Sequence, residues 1–203
     1  ASQVRDTGAA GAVWNQLSWT ASLPTGTNIT FEVRASDTSF AKDAASPSWT
    51  SVGGTSPVTS GLPSGRYMQW RAPLIGASTP TLQDVTVSYT TPPTAAITYS
   101  PAGPYKSGAS VNITATFNEA MADSPVPQIA VSGSNTLSAT NMTKTDSTHY
   151  YYVFTVGSGD GTATVSLSAG TDLAGNVITS APTSGATFTV DNTPPTTASV
   201  TTP

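Results

Sequence analysis

The stretch NITFEVRAS, residues Asn28–Ser36, puts Ile29, Phe31, Val33 and Ala35 on one side of an extended chain. Thr30, Glu32 and Arg34 fall on the other side. A strand turns successive side chains to opposite faces, so an apolar residue at every second position predicts a sheet with one buried face. The pattern recurs along the chain. SGRYMQWRAPL sets Met68, Trp70, Ala72 and Leu74 against Tyr67, Gln69 and Arg71, and TLQDVTVSY carries Leu82, Val85, Val87 and Tyr89. SVNITATFNEAM points Val111, Ile113, Ala115 and Phe117 inward. HYYYVFTV alternates Tyr150, Tyr152 and Phe154 with Tyr151 and Val153, and GTATVSLSAG carries Ala163, Val165 and Leu167. VWNQLSW, PQIAV and ATFTV read as further strands, and LPTGT, AGPYKSG, VSGSN, GSGDG, DLAGN and APTSG read as the turns between them. No stretch of useful length has helical spacing. The expected class is all-β.

A repeat divides the chain. TPPTAAITYSP (Thr91–Pro101) and TPPTTASVTTP (Thr193–Pro203) lie 102 residues apart, near the size of one β-sandwich domain. Each follows a strand-like run, VTVSY or ATFTV. A Pro-Pro pair cannot continue a ladder and favours a stiff extended backbone. The expected domains are therefore 1–90 and 91–192, with 193–203 forming a linker and the start of a further repeat. On this reading the chain is a stretch of a longer tandem array, and TPPT is a short joint that limits swing between beads.

Composition narrows the function. Hydrophobic content is 37% and charged content 9%, and Ser and Thr make up roughly a third of the residues. Such a chain would suit disorder, but the period-2 runs argue for sheets. There is no Cys, which removes disulfides, thiolate metal sites and thiol nucleophiles. No run of about 18 apolar residues offers a membrane span. A net charge of -4 and a pI near 4.6 disfavour nucleic acid. The charge is split: cations and acids balance before Thr91, and the excess of acid lies after it. Trp14, Trp19, Trp49 and Trp70, the four tryptophans, all precede Thr91. Two different domains account for both asymmetries. Few Lys and many Thr, Ser and Gly suit an extracellular bacterial or archaeal surface protein.

LPSGRYMQWRAPL followed by TPTLQDVTVSY resembles the closing strand pair of jelly-roll modules in secreted bacterial proteins. YKSGASVNITATFNEAM, DGTATVSLSAGTDLAGN and FTVDNTPPT resemble the bacterial immunoglobulin-like repeats of large surface proteins and adhesins, over essentially the whole second domain. The two resemblances imply tandem β-sandwiches, jelly-roll-like then immunoglobulin-like. They also imply a non-catalytic stalk whose partners are neighbouring repeats or subunits of the same assembly.

Two sets of residues could carry chemistry. In the first domain Trp49, Tyr67, Gln69 and Arg71 form a candidate glycan- or protein-binding set, since aromatic faces stack on sugars while Gln and Arg bond hydroxyls. Equally, Trp19 and Trp70 are core and the Arg residues pair with carboxylates on a wet sheet face. In the second domain Glu119, Asp123, Asp172, Asn176, Asp191 and Asn192 supply hard oxygen ligands that suit calcium. The competing reading makes Asp172 and Asn176 turn residues bonded to their own backbone. The linker SYTTPPT carries no carboxylate, so calcium is not expected between the two domains. His149, the one histidine, begins a strand and reads as a surface residue. No nucleophile elbow, P-loop or metal triad occurs, so an enzyme is not expected. Lys106, Glu119 and Asn192 have the residue types of an intramolecular Lys–Asn crosslink. The sequons at Asn28, Asn112 and Asn141 are about as many as a Ser- and Thr-rich chain holds at random.

Overall fold

A computed structural model describes residues 1–196; the expectation that the chain opens a further repeat falls largely on residues outside that range. Among the described residues the protein is all-β, without helices, and it divides into two compact units, Ala1–Pro92 and a second beginning at Pro93.

The first unit contains β1 (Arg5–Asp6), β2 (Val13–Ser22), β3 (Asn28–Ile29), β4 (Phe31–Ser36), β5 (Thr50–Gly53), β6 (Tyr67–Arg71), β7 (Leu74–Ile75) and β8 (Thr81–Thr90). One antiparallel sheet has the order β1-β6-β4-β5, and β2 pairs with β8 in a second. The core lies between them. Trp14, Leu17 and Trp19 of β2 meet Phe31 and Val33 of β4 and Met68 of β6, with Ile29 and Val58 beside them. Trp19 stacks on Phe31 with ring centroids 4.1 Å apart. Aromatic side chains of this size dominate the burial term, each contributing on the order of 1.5–3 kcal/mol. Leu74 departs from the alternation that places it inward and is 49% exposed. Pro73 breaks the ladder, and β7 pairs with β3 outside the four-stranded sheet.

The second unit contains β9 (Ala95–Ser100), β10 (Ser110–Phe117), β11 (Gln128–Gly133), β12 (Leu137–Asn141), β13 (Thr143–Lys144), β14 (His149–Thr155), β15 (Gly161–Ser168) and β16 (Thr187–Val190). Two sheets, β13-β14-β10-β9 and β12-β11-β15-β16, share one core. Val111, Ile113, Ala115 and Phe117 are buried from one sheet, and Ala163, Val165 and Leu167 from the other. Phe188 is the aromatic hub, with Tyr99, Tyr105 and Phe154 each within 5.9 Å between ring centroids.

The entering segment around β9 and the leaving segment around β16 meet in parallel at two isolated bridges. Ala96 bridges Ser184, and Tyr105 bridges Val190. The chain enters beside Asn118, whose N–H donates to Thr94 O at 3.0 Å. It leaves at Asn192, whose Oδ1 accepts from Ser107 N at 2.6 Å. The length of β10, roughly 26 Å at ~3.3 Å per residue, separates entrance from exit.

Candidate functional site

The outward side chains of β4 and β6 form the most chemically loaded surface of the first unit. Arg34 follows Val33 and so turns away from the core; Gln69 stands opposite it in the ladder. Alternation predicts that both are wet, yet Arg34 is 1% exposed and Gln69 0%. The loop from Asp37 to Trp49 covers them. Arg34 Nε and Nη2 donate to Gln69 Oε1 at 2.9 and 2.7 Å. Its remaining donors reach the carbonyls of Lys42 at 2.7 Å, Ala44 at 2.5 Å and Pro47 at 3.3 Å. No carboxylate is among these partners. The guanidinium is a buried cation held by neutral acceptors, which its fixed five-donor fork makes feasible.

Trp49 sits on this cation. Arg34 Cζ lies 4.5 Å from its ring centroid and Arg71 Cζ 4.4 Å, while Phe40 takes Arg34 at 4.9 Å. Arg71 Nε donates to Glu32 Oε2, the residue across the ladder from it. Cation–π contacts of this kind contribute about 0.5–2 kcal/mol each.

Of the four residues expected to meet a ligand, Trp49 and Arg71 come together and remain half-buried. Tyr67 is also half-buried, but its ring is covered by Arg66 at 5.1 Å. Gln69 is corrected to a structural role: its amide also donates to Ser2 O at 2.7 Å and has no surface to offer. Arg66 and Arg71 pair with carboxylates as the wet-face reading expects, and Arg34 does not. Alternation missed Arg34 because it reports only which face a side chain leaves from. The legible signal was a long loop bearing Phe40 and Trp49 directly after an outward Arg.

The six expected calcium ligands separate into three places. Asp172 is 3% exposed and closes the DLAGN turn. Its Oδ1 accepts from Ala174 N and Asn176 N at 2.8 Å, and its Oδ2 from Asn176 Nδ2 at 2.7 Å. Glu119 lies near it, and burial together with the Asp172 charge pushes its carboxyl above the usual range. Asp123 pairs with Lys144, whose hydrogen bond lowers its pKa. Asp191 and Asn192 are at the far end of β10. There Asn192 N–H donates to Asp160 Oδ1 at 2.5 Å, and its Nδ2 to Gly159 O at 3.0 Å. Among the described residues no group of three or more His, Cys, Asp or Glu side chains is placed to hold a metal ion. The crosslink trio is likewise not assembled, because Glu119 is at the opposite end from Lys106 and Asn192. His149 Nδ1 lies 3.0 Å from Asp146 in a surface turn.

No protein-family model, curated protein or solved structure matches the chain.

Proposed function

We propose that the chain is a non-catalytic extracellular spacer, a segment of a larger bacterial or archaeal surface protein. In this reading its two units are tandem β-sandwiches, the first jelly-roll-like and the second immunoglobulin-like. They hold another domain away from the cell and contact neighbouring repeats. The observation that carries the reading is the parallel contact between the entering and leaving segments of the second unit. A bead that takes the chain in at one end and releases it at the other is suited to threading in a line. The backbone bonds joining those segments are Thr183 N to Ala95 O, Ile97 N to Ser184 O, Tyr105 N to Thr189 O and Asp191 N to Tyr105 O, all between 2.8 and 3.0 Å. Tension along the chain loads all four in shear, so they break together rather than one by one.

Single-molecule extension of the second unit tests this. Tyr105→Pro removes the donor to Thr189 and is expected to lower the unfolding force well beyond its effect on the thermal midpoint. An unfolding force that falls no further than the midpoint implies would remove the support.

A second reading, a glycan-binding face on the first unit, rests on the half-buried Trp49 beside the half-buried Arg71, whose Cζ lies 4.4 Å from the Trp49 ring centroid. Saturable tryptophan-fluorescence change with a polysaccharide, lost in Trp49→Ala, would favour it. No response across a broad polysaccharide panel would dismiss it.

A further inference from the structure

β8 is an edge strand of unusual character. It is ten residues long, and its sheet consists of β2 and β8 alone. Exposed edges are normally blunted by shortness, Lys, Pro or a bulge. The other edges of the four-stranded sheets follow that rule: β1, β5, β12, β13 and β16 have five residues or fewer, and β9 runs into Pro101. β8 contains no Lys and no Pro; its register shifts at Gln83 and again opposite Asn15, and between those irregularities it runs unbroken from Asp84 to Ser88 opposite Thr20 to Gln16.

The free edge can be assigned residue by residue. Leu17 N donates to Val58 O at 3.0 Å, and Val58 N returns the bond to Leu17 O at 2.8 Å. Trp19 N donates to Ser56 Oγ. Leu17 and Trp19 therefore turn their peptide groups away from β8. In an antiparallel ladder hydrogen-bonded and non-hydrogen-bonded pairs alternate, so Ser18 and Thr86 are the bonded pair. The N–H and C=O groups of Val85 and Val87 point outward from the sheet edge.

Beneath that edge lies a slot of about 490 Å³, bounded by Val4, Arg5, Met68 and Trp70 on one side and Val85 and Val87 on the other. Both valines are half-buried. The lower sheet has four strands where the upper has two, with only the Val58 bridge beside them, so the core is left uncovered on this flank. Arg5 is exposed at the slot, and no acidic side chain pairs with it among the described residues.

We infer that this flank receives one extended strand from a partner protein, added antiparallel to β8. Its inward residues are small and apolar, and it carries a carboxylate that faces Arg5. Backbone bonds to Val85 and Val87 supply affinity, and the slot and Arg5 supply selectivity. A single strand covers the exposed flank.

The probe is a labelled ten-residue peptide of alternating Val and Thr with one Glu, titrated with the intact chain and followed by anisotropy. Saturable binding is expected. N-methylation of the alternate amides that face β8 weakens it at least tenfold, while N-methylation of the other alternate set leaves it within about twofold. Arg5→Glu weakens the Glu peptide at least tenfold and restores binding of a peptide with Lys in its place. Equal losses from both N-methylated sets would overturn the inference, as would no saturation up to about 1 mM or indifference to Arg5→Glu. Self-association of the chain that Val85→Lys abolishes would assign the edge to a second copy and overturn it too.

Discussion

Replacing Arg34 by Met tests what holds the first unit's outer face together. The change removes a buried guanidinium, keeps an unbranched but shorter apolar side chain, and leaves Gln69 Oε1, 0% exposed, without its donor. Hydrogen bonds from a charged donor contribute about 1.5–3 kcal/mol each, and Arg34 makes three at 2.7 Å or shorter, to Gln69, Lys42 and Ala44. Against that loss stands recovered desolvation, several kcal/mol for an ion with no countercharge. The loop carbonyls can rehydrate if the loop lifts, whereas Gln69 cannot until it does. The net expectation is a loss of about 3 kcal/mol, which for a domain of this size is roughly a 10–20 °C fall in melting temperature. All four tryptophans lie in this unit, so tryptophan fluorescence follows its unfolding without interference from the second. Trypsin cleavage after Lys42 should accelerate in parallel, since that residue's carbonyl is one of the acceptors. The double variant Arg34→Met with Gln69→Leu removes both partners and should recover at least 1 kcal/mol of the loss. An Arg34→Met chain as stable as the parent, or more so, would refute the reasoning: the cation would then be a net cost that packing by Phe40 and Trp49 tolerates.

The second unit offers three further tests. Burial, with Tyr105 nearby, pushes the Tyr99 hydroxyl up to about 12 from 10.0. The folded state thus favours the protonated form. Its contribution is fully present below pH 10 and lost as the pH rises through about 12. Tyr99→Phe should flatten that alkaline decline in calorimetry; an unchanged slope would discount the shift. Glu119 is pushed upward by burial and Asp172, so its ionisation opposes folding once the pH exceeds the unfolded value. Glu119→Gln should raise the melting temperature at pH 7, with the gain vanishing below pH 4, and equal gains at both values would count against it. Gly185 has φ +67, and a Cβ there would lie 2.0 Å from Ile97 O. Gly185→Ala should therefore cost more than about 2 kcal/mol in urea unfolding, and a smaller cost would mean that the first strand yields.

Alternation by itself determined which side chains could share a core. Val111, Ile113, Ala115 and Phe117 are buried as their spacing requires, and so are Ala163, Val165 and Leu167, because the two-residue period is a local property of extended backbone. All-β character follows from the same periodicity. The turn role of Asp172 and Asn176 was also legible, since their bonds close within five residues. Tertiary structure decided everything that depends on what covers a face. Arg34 and Gln69 leave the sheet on its polar side and are buried only because the loop after β4 folds back over Arg34 and the chain's first residues arrive beside Gln69. Val85 and Val87 leave on the apolar side and stay half-covered because the sheet above them is short of strands. The parallel meeting of Ala96 with Ser184 and of Tyr105 with Val190 joins residues more than 80 positions apart. A period reports the direction in which a side chain points; it holds no information about which remote segment arrives there.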